Sequence, residues 1–163
     1  MAGVFGLRDV RTEQIVRTWN ESNNYGYFGG GYGRCTIDRL DFSSETVSLP
    51  TSQLTQAKVF LAAVSNSNYG YFGGGYAPPV NLATIDRLDF SSETVSLPTS
   101  QLTQGRRKLA AVFNSNYGYF AGGTTGSAVC TIDRLDFSNE TIAIPVIPAK
   151  LTQTRYALAA VRN

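Results

Sequence analysis

Residues 36–56 read TIDRLDFSSETVSLPTSQLTQ, and residues 84–104 repeat them letter for letter. A diverged copy, TIDRLDFSNETIAIPVIPAKLTQ, fills 131–153. Asp38, Asp86 and Asp133 mark spacings of 48 and 47 residues, and Tyr-Gly-Tyr-Phe recurs from Tyr25, Tyr69 and Tyr117. A chain built this way must fold as similar units that stack, because one such unit is too short to bury its own apolar surface.

The second unit shows what each repeat contains. Val59–Val64, Tyr69–Phe72, Thr84–Phe90 and Thr94–Leu97 are rich in β-branched and aromatic residues. Ser-Asn-Ser-Asn, then Gly73-Gly74-Gly75, then Ser91-Ser92-Glu93, then Pro98 separate them. Each separator is turn chemistry. No window carries the i, i+3, i+4, i+7 apolar spacing of a helix. Four short strands per period describe one β-propeller blade. The fold class expected is therefore all-β, with three four-stranded antiparallel blades per chain.

Small residues mark the first strand, where blades crowd at a central axis: Ala62-Ala63, Ala110-Ala111 and Ala159-Ala160. In the third strand Asp86, Leu88 and Phe90 should point one way and Ile85, Arg87 and Asp89 the other. Arg87 and Asp89 would then share a face and could pair. The expected organisation is an N-terminal segment, 1–23, and repeats at about 24–56, 57–104 and 105–153. A final strand, 154–163, follows. Residues 15–19 make a poor first strand for the first repeat, whereas 155–161 read as the first strand of a fourth. Two chains joined head to tail, each lending its last strand, would give a six-bladed ring.

The residues resemble the kelch repeat. Glycine runs follow the second strand at Gly29-Gly30-Gly31, Gly73-Gly74-Gly75 and Gly122-Gly123. A Leu-Asp-Phe stretch leads into a polar turn, and the unit closes on Val47-Ser48-Leu49-Pro50 and Val95-Ser96-Leu97-Pro98. Valine stands where the family prefers tryptophan. The wording NSNYGYFGGG and TIDRLDFSSETVSLP is similar to kelch-like repeats of predicted marine bacteriophage proteins, often in tail fibres. That resemblance implies a half propeller in a virion or extracellular appendage, with a cytoplasmic location as the alternative. It implies a role in assembly or host-surface recognition, and a homo-oligomer or neighbouring virion subunits as partners.

The chemistry points away from catalysis. The chain has no histidine, the commonest general base and metal ligand near neutral pH. No cofactor or metal is expected. Each repeat pairs two aspartates, Asp38/Asp41, Asp86/Asp89 and Asp133/Asp136, a composition glycosidases also use. Residues present in every repeat serve the scaffold first. The glycine runs lack the Gly-Lys-Ser/Thr ending of a phosphate loop. A net charge of +2 gives no footprint for nucleic acid, and no apolar run is long enough to insert in a membrane. Cys35 and Cys130 occupy matching places and read as small buried thiols, with a bridge between chains left open.

Recognition should lie where the repeats differ. The loops between second and third strands vary, as do the connections between repeats, and both sets should emerge on one edge. Variable loops on a rigid scaffold are the usual place for binding. The candidate contacts are Tyr32, Arg34, Tyr76, Asn81, Arg106, Arg107 and Lys108. Loop tyrosines that stack on sugar rings, with asparagines for hydroxyls, would make the same edge a lectin-like site for a surface glycan.

Overall fold

The computed structural model describes residues 24–145 and 149–163. The expected N-terminal segment, its poor first strand at 15–19, and Val146, Ile147 and Pro148 of the last connection lie outside them. The described residues form an all-β structure of antiparallel sheets.

Sheet one holds β1 (Tyr25–Gly29), β2 (Ile37–Asp41) and β3 (Thr46–Ser48) in that order. Sheet two holds β4 (Ala62–Ser65), β5 (Tyr69–Gly73), β8 (Ile85–Asp89) and β9 (Val95–Ser96). A two-stranded hairpin, β6 (Tyr76–Ala77) and β7 (Val80–Asn81), is inserted between β5 and β8. Sheet three holds β10 (Ala110–Phe113), β11 (Tyr117–Ala121), β12 (Ile132–Asp136) and β13 (Ile142–Ala143). The register repeats: Phe28 faces Asp38, Phe72 faces Asp86, and Phe120 faces Asp133.

First strands begin later than the sequence suggests, at Ala62 rather than Val59. Phe60 turns into the left-handed region at φ 59°, as Lys108 does at 57°, and this breaks the extended run. The residues before that turn have another task, described below. Residues 154–163 form no strand: a strand needs a ladder partner, and no described strand pairs with them.

Each sheet packs on the next, and two features of the repeat explain the fit. At Gly73 an added Cβ would lie 2.6 Å from the Phe120 ring of sheet three, so only glycine lets the sheets approach. Gly74 has φ 68°, and its missing Cβ would meet the Arg106 carbonyl at 2.7 Å. The small first strands sit together, β4 against β10 and β11. One apolar core joins Val64, Tyr71 and Ile85 of sheet two to Phe120 and Leu135 of sheet three. A second joins Ile37 of sheet one to Phe72 and Leu88 of sheet two. Burial of these side chains is the main driving force for stacking, at about 1.5–3 kcal/mol for each large one.

Candidate functional site

The side facing the following sheet is called trailing here, and the side facing the preceding sheet leading. Between sheets one and two, Tyr27 stacks on Phe90 with centroids 5.3 Å apart. Its hydroxyl donates to Glu93 at 3.1 Å, and Arg39 donates to the same oxygen at 2.7 Å. Between sheets two and three, Tyr71 stacks on Phe137 at 5.5 Å. Tyr71 and Arg87 then donate to Glu140 at 3.0 and 2.8 Å. Arg87 therefore pairs across the joint, not with Asp89 of its own strand. Burial, reinforced by the Glu93 carboxylate, pushes the Tyr27 phenol up to about 12. The same causes raise Tyr71 further. Glu93 and Glu140 sit at φ 51° and 56°, a region a non-glycine residue enters at a cost. From that turn their carboxylates reach the Tyr and Arg donors of the preceding sheet.

The connections between sheets supply a buried clamp. The Lys58 carbonyl accepts from Gly31 N at 3.0 Å, which fixes the connection on sheet one. Lys58 Nζ meanwhile reaches into sheet two, 2.8 Å from Asp86 and 3.1 Å from the Phe72 carbonyl. Thr55 adds a hydroxyl to Asp86 at 2.6 Å. Arg106 repeats this in the next connection: Gly75 N donates to its carbonyl, and its guanidinium meets Asp133 at 2.8 Å. Both pairs have fully buried side chains. Burial pulls both cations below their ordinary pKa, against the pull of the aspartates. The second aspartate of each repeat caps a turn. Asp41, Asp89 and Asp136 accept the hydroxyls of Ser43, Ser91 and Ser138, bonds that lower their pKa. All three repeats thus use the second carboxylate in a turn, and sheets two and three use the first in a clamp.

The loop edge gathers part of the expected recognition set. Tyr76 and Asn81 face each other across the inserted hairpin. Arg107 lies over the Tyr76 ring at 4.2 Å. Lys108 sits between Phe60 and Tyr156, at 5.1 and 5.4 Å. The Asn81 Oδ1 and Arg107 Nε atoms are buried without a partner among the described residues. Tyr32 is 90% exposed, and Arg34 is exposed in the same loop. Arg106 is placed differently: it is fully buried in the clamp, which takes it off the recognition surface. The thiols of Cys35 and Cys130 are free and half-buried, and Cys35 lies 2.9 Å from the Gln53 amide oxygen.

The opposite edge holds a feature the sequence reading missed. A cleft of about 440 Å³ opens between sheets one and two, lined among others by Tyr25, Asn66, Asn68, Tyr69 and Asp89. A second, of about 340 Å³, repeats it between sheets two and three, with Asn116, Tyr117, Asp136 and Ser138. The signal was present in the recurring Asn-Ser-Asn-Tyr and Asp-Phe-Ser, which read as turns only. Among the described residues no three His, Cys, Asp or Glu side chains gather as metal ligands, and no helix is long and apolar enough to cross a membrane. No protein-family model matches the chain, and no curated protein matches it.

Proposed function

We propose that the three sheets are consecutive blades of a kelch-like β-propeller, and that the protein is a non-enzymatic interaction module of a phage virion or surface appendage. One observation carries this reading: the repeat's recurring charges are engaged in its turns and in the joints between sheets. Lys58–Asp86 and Arg106–Asp133 hold one another, and Glu93 and Glu140 hold Tyr and Arg of the preceding sheet. A carboxylate so engaged is poorly placed for acid–base work. What varies is the loop edge, with Tyr32, Arg34, Tyr76, Asn81, Arg107 and Lys108, and that edge is the recognition surface. The kelch resemblance and the stacking of equivalent sheets support the propeller, and the phage-like wording of the repeats supports the virion setting.

A lectin-like role is the second reading, favoured by the two equivalent clefts with their amide, hydroxyl and tyrosine linings. A glycan array separates the two. An assembly module gives no selective signal. A selective glycan lost in Tyr69→Ala would move the function to the clefts. Turnover in a hydrolase screen would overturn both.

A further inference from the structure

The two ends of the stack carry halves of the joint found twice inside it. At the leading end Asp38 is exposed, whereas Asp86 and Asp133 are fully buried. Phe28 is 64% exposed, against 5% for Phe72 and none for Phe120. Glu45 holds the same left-handed turn as Glu93 and Glu140, at φ 54°, with no Tyr or Arg donor among the described residues. At the trailing end the Arg155 carbonyl accepts from Gly123 N at 2.9 Å, the place Lys58 and Arg106 take on their sheets. Its side chain is exposed.

Among the described residues sheet one has three strands where the others have four. The edge of β1 that would carry a fourth has no described partner, and residues 158–161 repeat the Leu-Ala-Ala-Val of 61–64 and 109–112, which run into β4 and β10, without forming a strand. An edge without a partner among the described residues and a strand sequence without one complement each other.

We infer that a second copy of this chain docks head to tail, its residues 159–162 pairing with β1. Arg155 of one copy enters the clamp of Asp38 in the other. The register of sheet two, Ala62 opposite Gly73 and Ala63 opposite Phe72, puts Ala159 opposite Gly29 and Ala160 opposite Phe28. Tyr119 and Arg134 of the first copy then reach Glu45 of the second, and Tyr119 covers Phe42, which is 56% exposed in the single chain. The charges agree: two cations on the trailing side meet two carboxylates on the leading side. One contact differs, since Ala121 stands where Gly29 and Gly73 stand. Its Cβ pushes the Phe28 ring outward, and this joint is looser than the internal ones.

The inference rests on the two internal joints, not on ring closure. Light scattering after size exclusion, on the full chain at tens of micromolar, tests it. The expected mass is a multiple of the chain, two for a closed ring. Asp38→Lys and Arg155→Asp each face like charges in both joints, and association should weaken more than about a hundredfold. Both sites are exposed in the single chain, so an unchanged thermal transition at low concentration shows that each variant folds. An equimolar mixture of the two variants keeps a native Arg155–Asp38 pair at one joint. At the other joint the two introduced charges meet with opposite sign, so the mixture should restore the dimer. A monomeric wild type, with β1 covered by the chain's own residues, would overturn the inference. So would a dimer indifferent to both reversals. Open filaments with the same charge dependence would uphold the joint and overturn the ring.

Discussion

Lys58 and Arg106 stand at the same place in two successive joints but satisfy different sets of acceptors. Lys58 reaches Asp86 and the Phe72 carbonyl. Arg106 reaches Asp133, the Phe120 carbonyl and also the Thr131 carbonyl at 3.0 Å. Gln104 donates to the Thr131 hydroxyl at 3.2 Å, whereas the equivalent Thr84 hydroxyl is buried with no partner among the described residues. The planar fork therefore knits more of its surroundings than the point charge does. Both internal joints bury a cation at this place, and the guanidinium reaches one backbone carbonyl more than the ammonium does while its own Nε has no partner among the described residues.

The largest effect comes from emptying a clamp. Arg106→Met leaves Asp133 buried without its cation and should cost about 3–5 kcal/mol in urea unfolding. Lys58→Met should fall in the same range. Adding Asp133→Leu to Arg106→Met should recover part of the loss, because an apolar pair needs no neutralisation but leaves the Thr103 N–H and hydroxyl without their acceptor. Exchange of the cations sharpens the comparison: Arg106→Lys gives up the Thr131 carbonyl and should cost about 1 kcal/mol.

A smaller effect tests the third repeat. Arg39 and Arg87 donate through Nε to Ser48 and Ser96, each at 3.2 Å. Ala143 is the cross-strand partner of Arg134, and Arg134 Nε is buried without an acceptor among the described residues. Ala143→Ser should raise stability by about 0.5–1 kcal/mol, read as a higher denaturation midpoint.

The last test is silent at neutral pH. Tyr27 holds its proton to about 12 in the folded chain, against an ordinary value of 10.0. Between those limits the folded state binds a proton that the unfolded state has released. This contribution to stability is complete below pH 10 and is lost as pH rises through 12. An alkaline absorbance titration should find Tyr27 ionising late and Tyr71 later still. Tyr27→Phe should remove the earlier of these two late steps.

The four-stranded sheets of the second and third repeats, the turn positions and the small first strands were legible because periodicity and turn chemistry are local, whereas the inserted hairpin β6–β7 was not, since it occurs in one repeat alone. The clamp was not. Lys58 and Arg106 look like loop cations until the connection is seen fixed to one sheet by its carbonyl and aimed at the next by its side chain. In sequence alone Arg106 is indistinguishable from its loop-edge neighbours Arg107 and Lys108. Arg87 was matched with Asp89 because two residues on one strand face are neighbours in sequence. Its partner Glu140 lies in the following repeat, a distance that sequence spacing does not encode. The clefts escaped for a related reason, since each is built by two repeats and neither repeat contains it alone.

Because 84–104 and 131–153 carry Asp, Phe and Glu at matching places, the order of the sheets is not written in the joints alone. Sheet one offers Tyr27 and Arg39 on its trailing side, and sheet three presents the same Phe, Glu and Asp pattern on its leading side as sheet two does. Chemistry alone does not tell sheet one which neighbour to choose. The short connection 50–61 does, as a tether that keeps sheet two at high effective concentration. When unfolded chains are crowded enough to rival that tether, sheets from different molecules exchange places, and refolding yield falls with protein concentration.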